Sequence, residues 1–295
     1  MQNLREIIDE ARKKKRAVGH FNISDVVALR AIFRAARELE LPVVIGTSEG
    51  ERAYLGPRQA AALVRSLREE FDYPIFLNAD HTHSFEKIKE AVATGYDAVL
   101  FDGSALSWEE NIRETRKVVA YVKEKNPEIV VEGEIGYIGS SSRVLDKPPE
   151  GAAIRAEDLT TSAQAEEFVR ETGVDLLSPA VGNLHGMFRN APNPRLDVAR
   201  VREIANAVPV PLVLHGGSGI ADEDFVAAIE AGVAVIHINT ELRLAWREGI
   251  SRALREKQDE IAPYKLYPAA EEGIYEVAKR RMMLFSRIAS PSGSG

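Results

Sequence analysis

The 295-residue sequence predicts an α/β protein built as a single (β/α)8 TIM barrel, with an extra C-terminal helix and a long lid loop after the fifth strand. Three observations carry this expectation. Short apolar, β-branched runs alternate with longer amphipathic stretches from residue 16 to about residue 258, and eight such pairs can be counted. Strand-then-helix repetition implies parallel pairing, because parallel neighbours need a crossover, and eight units most readily close on themselves. No Pro/Gly/Ser-rich linker breaks the alternation, so one domain is expected over residues 1–289, with the SPSGSG segment ending in a flexible tail at 290–295.

Taken in order, the predicted strands are Ala17–Phe21, Pro42–Gly46, Pro74–Leu77, Ala98–Phe101, Ile129–Glu134, Asp175–Ser178, Pro211–Leu214 and Ala234–Ile238. The helices between and after them are predicted at Asp25–Glu40, Pro57–Glu70, Phe85–Thr94, Trp108–Lys125, Ser162–Thr172, Asp197–Ala207, Ala221–Ala231 and Glu241–Arg255. The N-terminal MQNLREIIDEARKKK reads as a charged amphipathic helix rather than a signal peptide, and Ala269–Ser286 as one helix beyond the repeat. The stretch from Gly136 to Asp158, carrying GSSSRVLDKPPEG, shows no pattern of its own, which is how an active-site lid often looks.

Composition narrows the function. At 45% hydrophobic residues the chain can bury a large core, and no run approaches the ~18 apolar residues of a membrane helix, so no membrane partner and a cytoplasmic location are expected. The absence of cysteine removes disulfides, thiolate metal sites and thiol nucleophiles, leaving His, Asp and Glu as metal ligands. A net charge of −7 argues against a nucleic-acid partner, and the basic run Lys13 to Lys15 reads as a solvated helix end.

All six histidines (His20, His81, His83, His185, His215 and His237) fall at or just past predicted strand ends, where a barrel of this kind places its chemistry. The same face receives Asn22, Ser48, Asp80, Asp102, Glu134 and Asn239. Any one histidine read alone is a hydrogen-bonded core or rim residue. His81, His185 and His215, however, follow three different strands that converge on one mouth, and three neutral nitrogens with room for a substrate oxygen make an open, catalytic metal site. Glycine-rich turns follow the same strands, GNLHG at 182–186 and HGGSG at 215–219. The second leads into a helix N-terminus, a combination suited to a phosphate, although a purely structural Gly-Ser turn is as common.

These segments together resemble the class II, zinc-dependent ketose-bisphosphate aldolases, the family of fructose- and tagatose-bisphosphate aldolases. The resemblance runs through AVGHFN at 17–22, TSEG at 47–50, ADHTHSFEKIKEA at 79–91, FDGSALSWEENI at 101–112 and VEGEIG at 131–136. It continues through GVDLLSPAVGNLHGMF at 173–188, PLVLHGGSGI at 211–220, NTELR at 239–243 and the YEVAKRRMMLF helix. It implies a metal-dependent aldolase, a carbon–carbon lyase that joins dihydroxyacetone phosphate to an aldehyde or reverses that step on a ketose-1,6-bisphosphate, in carbohydrate metabolism of the glycolytic kind. It further implies one catalytic Zn2+ per subunit on His81, His185 and His215, with Glu134 joining in some states; a monovalent cation is a second candidate cofactor. Asp80 matches the catalytic acid/base. Gly182, Gly217, Ser218 and Thr240 match the phosphate cradle, Arg189 stands where a lysine is usual, and Arg243 is a candidate for the second phosphate. Asn22, Ser48 and Asn239 complete the expected substrate contacts, and a homodimer or homotetramer is the expected assembly.

Three segments depart from the family pattern. The lid's GGxED reads GSSSR, so Ser142 and Arg143 replace its acids; His237 replaces an asparagine after the eighth strand; Asp25 replaces the second asparagine of FNxxN. His237 is accordingly a candidate catalytic acid/base, with a fourth metal ligand or a substrate hydrogen-bond donor as alternatives. His83 reads as a rim residue supporting His81. Competing functions are a divergent member acting on another ketose phosphate, a metal-dependent hydrolase suggested by His81-Thr82-His83, and a non-catalytic metal- and phosphate-binding relative. A Schiff-base aldolase is disfavoured, because no predicted strand ends in lysine.

Overall fold

The computed structural model describes residues 2–139, 142–147, 150–152 and 155–288, so the expected boundary at 289 and the tail 290–295 lie outside the described residues. Among the described residues ten strands form: β1 (Val18–Asn22), β2 (Val43–Thr47), β3 (Ile75–Thr82), β4 (Ala98–Phe101), β5 (Val130–Ile135), β6 (Val144–Leu145), β7 (Leu176–Pro179), β8 (Met187–Phe188), β9 (Leu212–Leu214) and β10 (Val233–Ile238). Eight of them close a barrel in the order β1-β10-β9-β7-β5-β4-β3-β2, and every pairing is parallel. The helices are α1 (Leu4–Lys13), α2 (Val26–Leu39), α3 (Glu49–Leu55), α4 (Pro57–Phe71), α5 (Phe85–Thr94), α6 (Trp108–Lys125), α7 (Ser162–Thr172), α8 (Val198–Ala207), α9 (Asp222–Ala231), α10 (Thr240–Glu256), α11 (Pro263–Leu266) and α12 (Pro268–Ser286). The eight expected strands and the expected helices are therefore present, with α12 packed against α2 and α10 as the extra C-terminal helix.

Side-chain alternation explains why the site sits where it does. Successive residues of a strand face opposite sides, so one face packs on the helices and the other fills the barrel. Val18, Val44, Phe76, Ala98, Val130, Leu176, Val213 and Val235 form one apolar cluster with Leu4, Ile7 and Ile8 of α1, which plugs the N-terminal mouth. Two residues further along the same strands the interior turns polar, at His20, Asn78, Glu132, Ser178, His215 and His237, all buried. Gly46 stands in that layer because a Cβ there would lie 2.1 Å from His20 Cε1.

Four features were not anticipated. β3 runs on to Thr82, past the expected end at Leu77, and carries Asp80 and His81 within a register shift between Ala79 and Thr82. The seven-residue α3 and the short α11 lack the long apolar periodicity that marks a helix in sequence. Finally, the long connection after β5 is not featureless: its β6 pairs in parallel with β8, and Met187 N–H donates to the Arg143 carbonyl at 3.0 Å.

Candidate active site

The C-terminal mouth of the barrel opens into a cavity of about 290 Å³. Its lining includes the expected Asn22, Ser48, Asp80, His81, His185, His215, Gly217, Ser218, His237, Asn239, Thr240 and Arg243. Glu134 stands behind this wall, buried beside His81. Gly182 and Arg189 are not among the lining residues. Gly182 makes a turn at φ +96°, where a Cβ would meet the Arg195 carbonyl at 2.7 Å; Arg189 pairs with Asp146 at 2.9 Å on an adjoining arginine-rich cavity that shares Ser142, Thr240 and Arg243 with the first.

His81, His185 and His215 come together, with one ring nitrogen of each within 4.8 Å of the others. Outer carboxylates fix the tautomers of two. His81 Nδ1 faces Asp102 Oδ2 at 2.8 Å and His215 Nε2 faces Glu132 Oε1 at 2.7 Å, so each of those nitrogens carries its ring's proton. The remaining nitrogens, His81 Nε2 and His215 Nδ1, then face each other at 3.1 Å, both of them acceptors when the two rings are neutral. His185 Nε2 and Glu134 Oε2 are buried with no hydrogen-bond partner. Facing ring nitrogens and orphaned buried acceptors are what a bound cation satisfies, and ligand nitrogens on a tetrahedral zinc are about 3.3 Å apart. The donor set therefore fits a divalent metal of borderline character.

The ionisation tendencies agree with a site built around positive charge. Burial opposes charge on His81, yet Asp80, Glu134 and Asp102 overcome it and raise its pKa well above that of free imidazole, so without an ion a proton on Nε2 bridges to His215 Nδ1 in the place a cation would take. Burial, with Asp102 and the other carboxylates, pushes Glu134 well up, whereas burial and the neighbouring rings push His185 well down. Burial resists ionisation of Asp80, but His81, His237 and His20 outweigh it, leaving its carboxyl well below the usual range and anionic at neutral pH.

Asp80 is held through one oxygen. Oδ2 accepts from Asn22 Nδ2 at 2.8 Å, whereas Oδ1, 3.3 Å from His237 Nδ1, is buried without a hydrogen bond. His237 stacks on His20, ring centroids 3.4 Å apart and planes within 7°. Parallel rings keep their in-plane lone pairs side by side instead of aiming them at one point, so His20, Asp80 and His237 form a poor second metal site despite their proximity. Burial and the His20 and His215 rings push the His237 pKa well down, which makes it a neutral imidazole beside Asp80.

Glu51 was missed in the sequence and organises one wall. Its Oε2 accepts from Asn22 Nδ2 at 2.9 Å and from the Ser48 N–H and hydroxyl at 2.8 and 2.9 Å. Its Oε1 accepts from Arg243 Nη2 at 2.6 Å. The Ser48-x-x-Glu51 capping box was the available signal. Glu132 was missed likewise, its only sequence mark being two residues' separation from Glu134. At the anion turn, Gly217 N–H already donates to the His237 carbonyl at 3.2 Å, while Ser218 Oγ accepts from Glu241 N–H at 3.2 Å and, at 3.4 Å, from Asn239 N–H. His83 is exposed at the rim, its Nδ1 3.3 Å from the Asp102 carbonyl oxygen.

The family model described as "Fructose-bisphosphate aldolase class-II" matches residues 2–289. The chain belongs to this family. The aldolase is 34% identical over 286 residues to the fructose-bisphosphate aldolase of Geobacillus stearothermophilus, and 35% identical to the probable fructose-bisphosphate aldolase of Bacillus subtilis, each match covering 96% of both chains. Among solved structures it is similar to the YdjI aldolase of Escherichia coli K12, with a TM-score of 0.79 at 31% identity. It also resembles a putative fructose-1,6-bisphosphate aldolase of Coccidioides immitis, with a TM-score of 0.80 at 30% identity; both alignments cover 96% of each chain. The aldolase is thus a carbon–carbon lyase of class II, and among its described residues no helix is long and apolar enough to cross a membrane.

Proposed function

We propose that the protein is a zinc-dependent aldolase that cleaves and forms the C3–C4 bond of a ketose-1,6-bisphosphate, fructose or tagatose bisphosphate being the default, with dihydroxyacetone phosphate as one product. The observation that carries this reading is the approach of His81 Nε2 and His215 Nδ1 to 3.1 Å beside the orphaned His185 Nε2. His81, His185 and His215 would hold the ion, with Glu134 in reserve; when bound it supplies a Lewis acid that polarises the substrate carbonyl. In the cleavage direction anionic Asp80 takes the proton of the C4 hydroxyl, the C3–C4 electron pair moves toward the carbonyl, and the aldehyde departs. Asn22 fixes Asp80 for that transfer, leaving Oδ1 free of hydrogen bonds to take the proton. His237 stands 3.3 Å from that oxygen as a neutral neighbour in this reading, its lowered pKa making imidazolium scarce at neutral pH.

The 1-phosphate would take the turn at Gly217–Ser218 with Thr240 at the start of α10, where the helix dipole favours an anion. Arg243, with Asn239 and Ser48 nearby, faces the distal end and would exchange part of its bond to Glu51 for a second anion. Arg189 and Gly182 would act from outside the cavity, Gly182 by shaping its turn. The connection bearing Ser142 would close over the mouth, since the Ser142 carbonyl accepts from Arg243 Nη1 at 3.0 Å. The exposed apolar side chains of Leu254, Ile261 and Tyr264 around α11 support a homo-oligomer, and phosphorylated sugar substrates fit a cytoplasmic setting. Zinc-loaded protein is expected to release dihydroxyacetone phosphate from at least one of the two C4-epimeric bisphosphates. Release from neither would overturn the bisphosphate assignment in favour of another ketose phosphate, a reading supported by Glu51 already holding Arg243.

A further inference from the structure

Arg52, on α3, is 5% exposed, and the three groups it bonds are uncharged oxygens. Its Nη1 donates to the Thr47 carbonyl at the end of β2 and, at 2.9 Å, to the Asp80 carbonyl in β3; its Nη2 donates to Thr82 Oγ1 at 2.7 Å. Asp80 and Thr82 are the two neighbours of His81. His81 itself has φ +38°, in the left-handed region that a side chain with a Cβ enters only at a cost, and it lies inside the register shift of β3. The Thr82 hydroxyl passes the restraint on by donating to the Ala79 carbonyl at 3.2 Å, and Asp102 N–H donates to the Thr82 carbonyl at 3.0 Å.

A guanidinium removed from water and served by neutral oxygens is expensive, and apolar side chains could fill the same volume at less cost. Its five donors in a rigid fork, however, can grip oxygens on two strands at once, which an apolar residue cannot. We propose that Arg52 is a positioning residue: it clamps both shoulders of His81 to the end of β2, holding the strained turn that aims Asp80 into the barrel and His81 Nε2 at His215. The inference rests on the reading of His81, His185 and His215 as the metal site, and it adds a device that holds one ligand in register.

The test compares Arg52→Gln, Arg52→Lys and Arg68→Gln. Arg68 anchors the opposite end of the same strand, through the Ile75 carbonyl at 2.8 Å and Asp97, far from the mouth. Zinc affinity is measured by competition with a chromophoric chelator, and kcat and KM by release of dihydroxyacetone phosphate. Arg52→Gln is expected to weaken zinc binding about 10–100-fold and lower kcat about 100-fold, with KM within about threefold of wild type. Arg68→Gln loses stability but keeps zinc affinity and kcat. Arg52→Lys restores the charge with one nitrogen in place of two and falls between. Equal zinc affinity and kcat in Arg52→Gln and Arg68→Gln would overturn the proposal. Should the glutamine variant not fold, wild-type zinc affinity and kcat in Arg52→Lys would overturn it instead. Zinc affinity is read without turnover, so a protein that binds zinc yet cleaves neither sugar defeats the substrate reading and leaves this one to be judged by its own measurement.

Discussion

At the scale of residues, the chemistry depends on carboxylates whose neighbours decide what each can do. Asp80 is anionic because His81, His237 and His20 outweigh its burial, whereas Glu134 is pushed toward its neutral form by burial and by the nearby Asp102 and Glu132. Asp80→Asn removes the proton acceptor and leaves the histidines in place. Its kcat should fall by roughly 10²–10⁴-fold with zinc content unchanged; retained turnover would move the proton transfer elsewhere. The histidines themselves were legible in the sequence, because residue type and strand-end placement are both visible there. Their outer partners were only partly so: Asp102 could be placed at the same face, but nothing in the spacing distinguishes Glu132, which orients His215 from inside the barrel, from a carboxylate facing solvent. The same limit applies to Gly217 and Arg243, whose donors are already engaged by the His237 carbonyl and by Glu51, facts of tertiary structure that a motif does not carry.

At the scale of elements, helix α12 secures the anion turn from behind. Arg281 Nε and Nη2 grip Glu241 at 3.0 and 2.7 Å, its Nη1 reaches Asp222 at 2.6 Å, and Glu241 Oε1 accepts from Gly219 N–H at 3.1 Å. Breaking one partner of such a buried pair leaves an uncompensated charge, so Arg281→Met should cost about 3 kcal/mol in urea unfolding and raise KM more than it lowers kcat. An unchanged KM would detach α12 from the phosphate turn. The helix was foreseen at Ala269–Ser286, and its boundary proved accurate to one residue at the start. Its purpose was not foreseen, because Arg281 and Glu241 are 40 residues apart. The opposite failure occurs at α3. Its capping box is plain in Ser48 and Glu51, but seven residues without an apolar stripe do not announce a helix, and two buried charged groups, Glu51 and Arg52, went unread with it.

For the whole molecule, a barrel with an apolar lower layer and a polar upper one concentrates buried imidazoles at one end, and acid stability should follow. The His20 pKa is lowered to about 4, burial being the main cause, and His185 and His237 are lowered as well. A base whose folded pKa lies below its unfolded value stabilises the fold above the unfolded pKa, near 6.5, and loses that contribution as pH falls toward the folded one. His81, shifted upward, works in the opposite sense. In chelator-treated protein, His20 alone should account for about 2 kcal/mol of stability lost between pH 7 and pH 5. His20→Gln should flatten the urea-midpoint profile across that window, and an unaltered profile would mean that His20 is solvated or already charged when folded. The barrel, its strand count and the face bearing the chemistry could all be read from period and order, because those signals repeat eight times; the β6–β8 ribbon, two residues on each side, repeats nowhere.

The central claim, that His81, His185 and His215 hold the divalent metal on which carbon–carbon cleavage depends, is tested most directly by one assay. Release of dihydroxyacetone phosphate from fructose- and tagatose-1,6-bisphosphate is followed in wild type and His185→Ala, before chelation, after it, and after stoichiometric zinc is returned. The account predicts activity that chelation abolishes and zinc restores in wild type, and none at any stage in His185→Ala. Cleavage that survives exhaustive chelation, or that zinc restores equally in His185→Ala, would contradict it.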